Sequence, residues 1–131
     1  MNLKGYRRLS AFARETLIYG GSSIFIEEEI VDVEQVKDVV QKSVEGIIEF
    51  SSVVNGKCKL VIITIYSPPQ GNKDVFYHIL AEVLDLCQSR FRNYKAVLLS
   101  DFNINLLDQS FQTKKFRDLL DMILLLLSQK E

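Results

Sequence analysis

The segment that most constrains this chain is 60–66, LVIITIY, seven apolar or β-branched residues with no polar alternation. Such a run predicts a strand covered on both faces, because a half-solvated strand alternates apolar and polar positions. Ser67-Pro68-Pro69-Gln70-Gly71 ends it, since consecutive prolines supply no N–H to a ladder. Upstream, 47–53 reads as a partner strand, and Asn55-Gly56 is the dipeptide that most favours a tight hairpin. Downstream, Phe76, Ile79, Leu80, Val83, Leu84, Cys87 and Phe91 recur at helical spacing, with Asn72 placed to cap the first turn. Residues 96–100, AVLLS, predict a short buried strand. A loop through Asn105 and Asp108 then leads to a second amphipathic helix carrying Phe116, Leu119, Leu120, Ile123, Leu124 and Leu127.

The remaining chain has weaker signals. Residues 1–19 mix charge and apolar character without a period and read as mostly irregular. Gly20-Gly21-Ser22-Ser23 reads as a turn or flexible lead-in to a short strand at Ile24-Phe25-Ile26. Residues 27–45 read as a loop with one helical turn, because Val36, Val39, Val40 and Val44 have helical spacing but valine is a mediocre helix former. The order strand, hairpin, helix, strand, helix predicts a mixed α/β sheet with helices on at least one face. With no repeat and, apart from a break near Gly71, nothing that resembles an interdomain linker, residues 1–131 read as one domain.

Composition excludes several classes. Sixteen basic against seventeen acidic residues leave a net charge of −1, so no overall basic field attracts nucleic acid and any such contact is local. Two cysteines and one histidine cannot build a disulfide scaffold or a zinc cluster, and no nucleophile elbow accompanies His78. The densest apolar stretch, 119–127, falls well short of the roughly 20 residues that span a bilayer. Scattered charges over residues 1–21 leave no signal-peptide core, and an intracellular setting (nucleus or cytoplasm) with no membrane partner is expected.

The chemistry concentrates at two strand ends. Asp101-Phe102-Asn103 follows the strand at 96–100, and an extended chain sends residues two apart to one side. Asp101 and Asn103 would then share a cleft at a carboxyl strand edge, where open α/β sheets place their sites. A carboxylate holds a hydrated divalent cation or accepts a proton from water, and a neutral amide donates to phosphate without repelling it. The competing reading is an Asx-turn closing a strand. Tyr66 ends the preceding strand, stiffened by the prolines, and its phenol can donate to a phosphate oxygen. Its competing reading is a half-buried core tyrosine.

Taken in order, Gly20-Gly21 before a strand, VEGIIEF at 44–50, YSPP at 66–69, an amphipathic helix and AVLLSDFNINLL at 96–107 resemble the endonuclease/exonuclease/phosphatase superfamily. Within it, the chain looks like the endonuclease domain of non-LTR retrotransposons, over roughly residues 18–125. The resemblance implies a partial four-layer α/β sandwich and Mg²⁺-dependent hydrolysis of DNA phosphodiesters. It implies that Asp101 positions or deprotonates the attacking water and that Asn103 orients this carboxylate and the phosphate. Both would stand at the Mg²⁺, and Tyr66 would contact the scissile phosphate.

The departures are equally specific. Nothing before Gly20 fits the family's early Asn and metal-binding Glu strands, since Asn2 and Glu15 lack apolar surroundings. No Ser-Asp-His strand end follows, Ser100 stands where the family has Gly, and His78 falls mid-helix in a solvent-facing or packing position. Missing ligands imply weak Mg²⁺ binding and little cleavage by this chain alone. A missing second sheet would leave apolar side chains exposed at about 1.5–3 kcal/mol each. That leaves partial order, self-association and degradation open, with the stickiest surface expected at 122–127. The rival reading is a non-enzymatic remnant or interaction module that pairs through an exposed sheet face. A flavodoxin-like domain ranks last, for want of a phosphate-cradling glycine loop after the first strand.

Overall fold

The structure is a computed structural model that describes residues 3–15, 21–68 and 71–101, the last by its backbone. The described residues form two sheets. In the first, β1 (Tyr6–Phe12) pairs antiparallel with β2 (Ser22–Glu27), with a register shift between Arg8 and Ser10. The second contains β3 (Val33–Gln35), β4 (Glu49–Asn55), β5 (Leu60–Tyr66) and β6 (Lys95–Asp101), side by side in that order. A single helical turn, α1 (Lys37–Val40), connects β3 towards β4, and α2 (Lys73–Arg90) carries the chain from β5 to β6. Strands β3, β4 and β5 are antiparallel neighbours, whereas β6 runs parallel to β5, as a helical crossover requires.

Alternation along β5 sorts the sheet into two faces. Val61, Ile63 and Ile65 are buried with Phe50 of β4 under Phe76, Ile79, Leu80, Val83 and Cys87 of α2. Asn72 caps this helix as its position predicts, its Oδ1 accepting from the N–H groups of Asp74 (3.0 Å) and Val75 (3.2 Å). His78 is exposed and pairs with Glu82 one turn on, a solvent-facing role. The β1–β2 ribbon lies on the opposite face and is fastened mainly by polar groups. The Ser22 and Thr64 hydroxyls are 2.7 Å apart, and Ser52 N–H donates to Ser10 Oγ at 3.0 Å. Gly21 turns the chain into β2 with φ 113°, and a Cβ there would lie 2.9 Å from the Phe12 carbonyl oxygen, so only glycine fits.

Several expectations need correction. The N-terminal region is not mostly irregular: it contains β1, whose charged sequence YRRLSAF is held as a strand by pairing with β2 and by the buried Ser10. Ser22 and Ser23 belong to β2, not to a flexible lead-in. The region 27–45 contains β3 as well as the expected helical turn. A second sheet, expected to be missing, is present as the two-stranded β1–β2 ribbon. Neither β5 nor β6 is covered evenly on both faces, and in β6 Val97 is 39% and Leu99 55% exposed where the ribbon does not reach. The hairpin turn is longer than Asn-Gly alone. Residues 56–59 form it, Asn55 Oδ1 accepts from the Lys57 and Cys58 N–H groups, and Lys59 takes a left-handed φ of 52°. The second amphipathic helix lies outside the described residues. No helix among those described is long and apolar enough to cross a membrane.

Candidate functional site

Parallel strands joined by a helix finish on the same rim of a sheet, and β5 and β6 do so at the two positions singled out by sequence. Tyr66 and Asp101 are register partners in the parallel ladder. On its other side Tyr66 is paired with Glu49, the first residue of β4. Glu49, Tyr66 and Asp101 therefore form one row across three adjacent strands, with neighbours about 4.8 Å apart. Asn103 lies outside the described residues.

Above this row sits a residue that sequence reasoning missed. Arg14 follows β1 and reaches across the ribbon so that its Nε–H is shared by the two Glu49 oxygens, at 2.8 and 3.1 Å. Its guanidinium carbon lies 5.6 Å from the centre of the Tyr66 ring, within cation–π range. Glu49 is fully buried and the Arg14 side chain is 9% exposed. The Glu49 hydrogen bond raises the Arg14 pKa above its usual value against the opposing effect of burial, and both Glu49 and Tyr66 add to the rise. Nothing in the local sequence marks the pair, because its members are 35 residues apart. The one available signal was an acid opening a strand that is otherwise apolar or small, which needs a counter-charge if buried.

This arrangement assigns different capacities to the groups. Gly46 N–H also donates to Glu49 Oε2, at 3.0 Å, so the carboxylate is already engaged by an arginine and a backbone amide. It serves as an anchor and is not open to a metal or a water. Tyr66 is half-buried beneath a fixed cation, which suits its phenol to an anionic oxygen. On the same rim, Lys73 opens α2, with Nζ 3.4 Å from Ser67 Oγ and 5.3 Å from the Phe76 ring centre, and burial lowers its pKa. No group of three His, Cys, Asp or Glu able to hold a metal ion is found among the described residues.

A cavity of about 590 Å³ lies at the opposite rim, lined in part by Asp32, Glu34, Lys57, Arg90 and Tyr94. Lys57 there pairs with Asp32, while Arg90 pairs with Asp38 nearby. It is unconnected with the row at Tyr66.

Comparison with known protein families, curated proteins and solved structures finds no match to this chain. The functional reading accordingly rests on the residues and their placement.

Proposed function

We propose that the chain carries the central part of a Mg²⁺-dependent DNA phosphodiesterase domain, a partial four-layer sandwich of the endonuclease/exonuclease/phosphatase type. In this reading Asp101 positions or deprotonates the attacking water, Asn103 orients that carboxylate and the phosphate, and the Tyr66 hydroxyl donates a hydrogen bond to a non-bridging phosphate oxygen. Asp101 and Asn103 would hold the Mg²⁺, which would offset charge building on the leaving oxygen. Lys73 supplies local positive charge at this rim that the near-neutral composition lacks, the Arg14 charge being matched by Glu49.

The observation that carries the reading is the register of Tyr66 against Asp101 at the carboxyl ends of adjacent parallel strands. Any strand–helix–strand unit sets two strand ends on one rim; what supports the reading is that the two residues so paired are a phenol and a carboxylate. The predicted scarcity of ligands sets the expected level of activity low, because Mg²⁺ keeps most of its waters unless several anionic groups engage it.

The test is nicking of supercoiled plasmid with Mg²⁺, comparing the natural chain with Asp101→Ala and Tyr66→Phe. Weak nicking that Asp101→Ala abolishes and Tyr66→Phe reduces supports the proposal. Equal nicking by the natural chain and Asp101→Ala removes that residue from the mechanism. The exposure of Val97 and Leu99 favours a second reading, an interaction module with an uncovered sheet face, and Mg²⁺-independent behaviour with no nicking would point there.

A further inference from the structure

We propose that the outer edge of β6 pairs with β6 of a second copy of this chain, antiparallel, about a twofold axis at Leu98. The inference rests on the edge itself and holds whether or not the chain cleaves DNA.

Strand β6 ends the four-stranded sheet, and among the described residues no strand pairs with its outer side. Lys95 N–H donates inward to the Lys59 carbonyl at 2.9 Å. Backbone direction alternates along a strand, so Lys95, Val97, Leu99 and Asp101 turn their backbone groups towards β5, while Ala96, Leu98 and Ser100 turn theirs outward. Soluble proteins blunt such edges with mid-strand charge, proline or a bulge. Here the sequence KAVLLSD has no charge between its ends, no proline, and an unbroken register with β5.

The edge is also self-complementary. With the axis at Leu98, all seven residues are paired. Ala96 faces Ser100 of the second copy and Leu98 faces its own equivalent, so each outward N–H and C=O meets a partner. Lys95 then falls in register with Asp101, an opposite charge in the sequence, and Val97 with Leu99, at a non-hydrogen-bonded position where these two apolar side chains approach most closely. The two most exposed apolar residues of the strand thus cover one another, at 39% and 55% exposure in the isolated chain. Sliding the axis to Val97 or Leu99 leaves a strand end unpaired and sets Lys95 or Asp101 against a neutral residue. A twofold axis makes the contact isologous and closes it at two copies, which gives one eight-stranded sheet. The contact is small, so the dimer is concentration-dependent.

Sedimentation velocity of the full chain over a concentration series tests this. The natural chain is expected to convert from monomer to dimer and no further. Lys95→Asp, at an exposed position, places like charges at both ends of the contact and is expected to weaken the dimer about tenfold. Asp101→Lys is expected to do the same, and combining the two should restore the natural affinity. Leu99→Lys, also exposed, should weaken the dimer independently of the charge swap, with circular dichroism reporting that the fold is kept. A monomer at every concentration, open-ended aggregation, or association indifferent to Lys95→Asp and Leu99→Lys would each overturn the proposal.

Discussion

Arg14 and Glu49 fasten the β1–β2 ribbon to the sheet beside Tyr66, and the strength of that fastening follows from burial. Exposed ion pairs contribute roughly 0–1 kcal/mol because water and salt screen them. This pair is different, since the Glu49 side chain is fully buried and that of Arg14 is 9% exposed. Removing one partner strands a charge in a poorly solvated site, which costs about 3–5 kcal/mol. Arg14→Met and Glu49→Leu should each be destabilising by that amount. The double variant removes both charges and leaves one main defect, the Gly46 N–H that Glu49 accepted at 3.0 Å. That defect costs about 1–3 kcal/mol, so the double variant should be more stable than either single one. Urea denaturation of all four proteins, extrapolated linearly to water, measures the cycle. Single variants that lose less than about 1 kcal/mol, or a double variant that loses the sum, would refute the argument from burial.

Three further outcomes follow from the packing. Ser51 Oγ is buried with no hydrogen-bond partner among the described residues, so Ser51→Ala should leave stability unchanged or raise it by up to about 1 kcal/mol, read by thermal unfolding. Asn72→Ala removes the acceptor for two N–H groups at the start of α2 and should cost about 0.5–2 kcal/mol by urea denaturation. Burial, and then the charge of Asp74, raise the Tyr77 phenol pKa above its usual value of 10.0. Its contribution to stability is therefore complete below pH 10 and is lost as pH rises through the raised folded-state value. Tyrosinate absorbance should show a delayed ionisation step that Tyr77→Phe removes, and an unchanged titration curve would count against this cause.

What could be read from the sequence was what apolar patterning encodes. LVIITIY and the stripe from Phe76 to Phe91 determine β5, α2 and one buried face, because each apolar side chain in them has somewhere to go. The parallel placement of β6 follows from a strand, a helix and a strand in succession, and it brings Tyr66 opposite Asp101. Strand β1 escaped notice because it is held by pairing and by Ser10, with little apolar alternation to detect. Arg14 escaped for a related reason: a charge buried by a partner 35 residues away looks the same in sequence as one facing water. The exposure of Leu99 is not legible in the sequence because a leucine records the preference for burial without recording whether a neighbour is available.

The turn at 56–59 has a practical consequence. It sits at the rim opposite Tyr66 and Asp101, roughly 20 Å away along the seven residues of β5. Cys58, on that turn, is exposed, while Cys87, the other cysteine of the chain, is buried. A maleimide dye, a spin label or a surface tether can therefore be attached selectively at Cys58 in the natural protein, far enough from the paired strand ends to observe them without touching them.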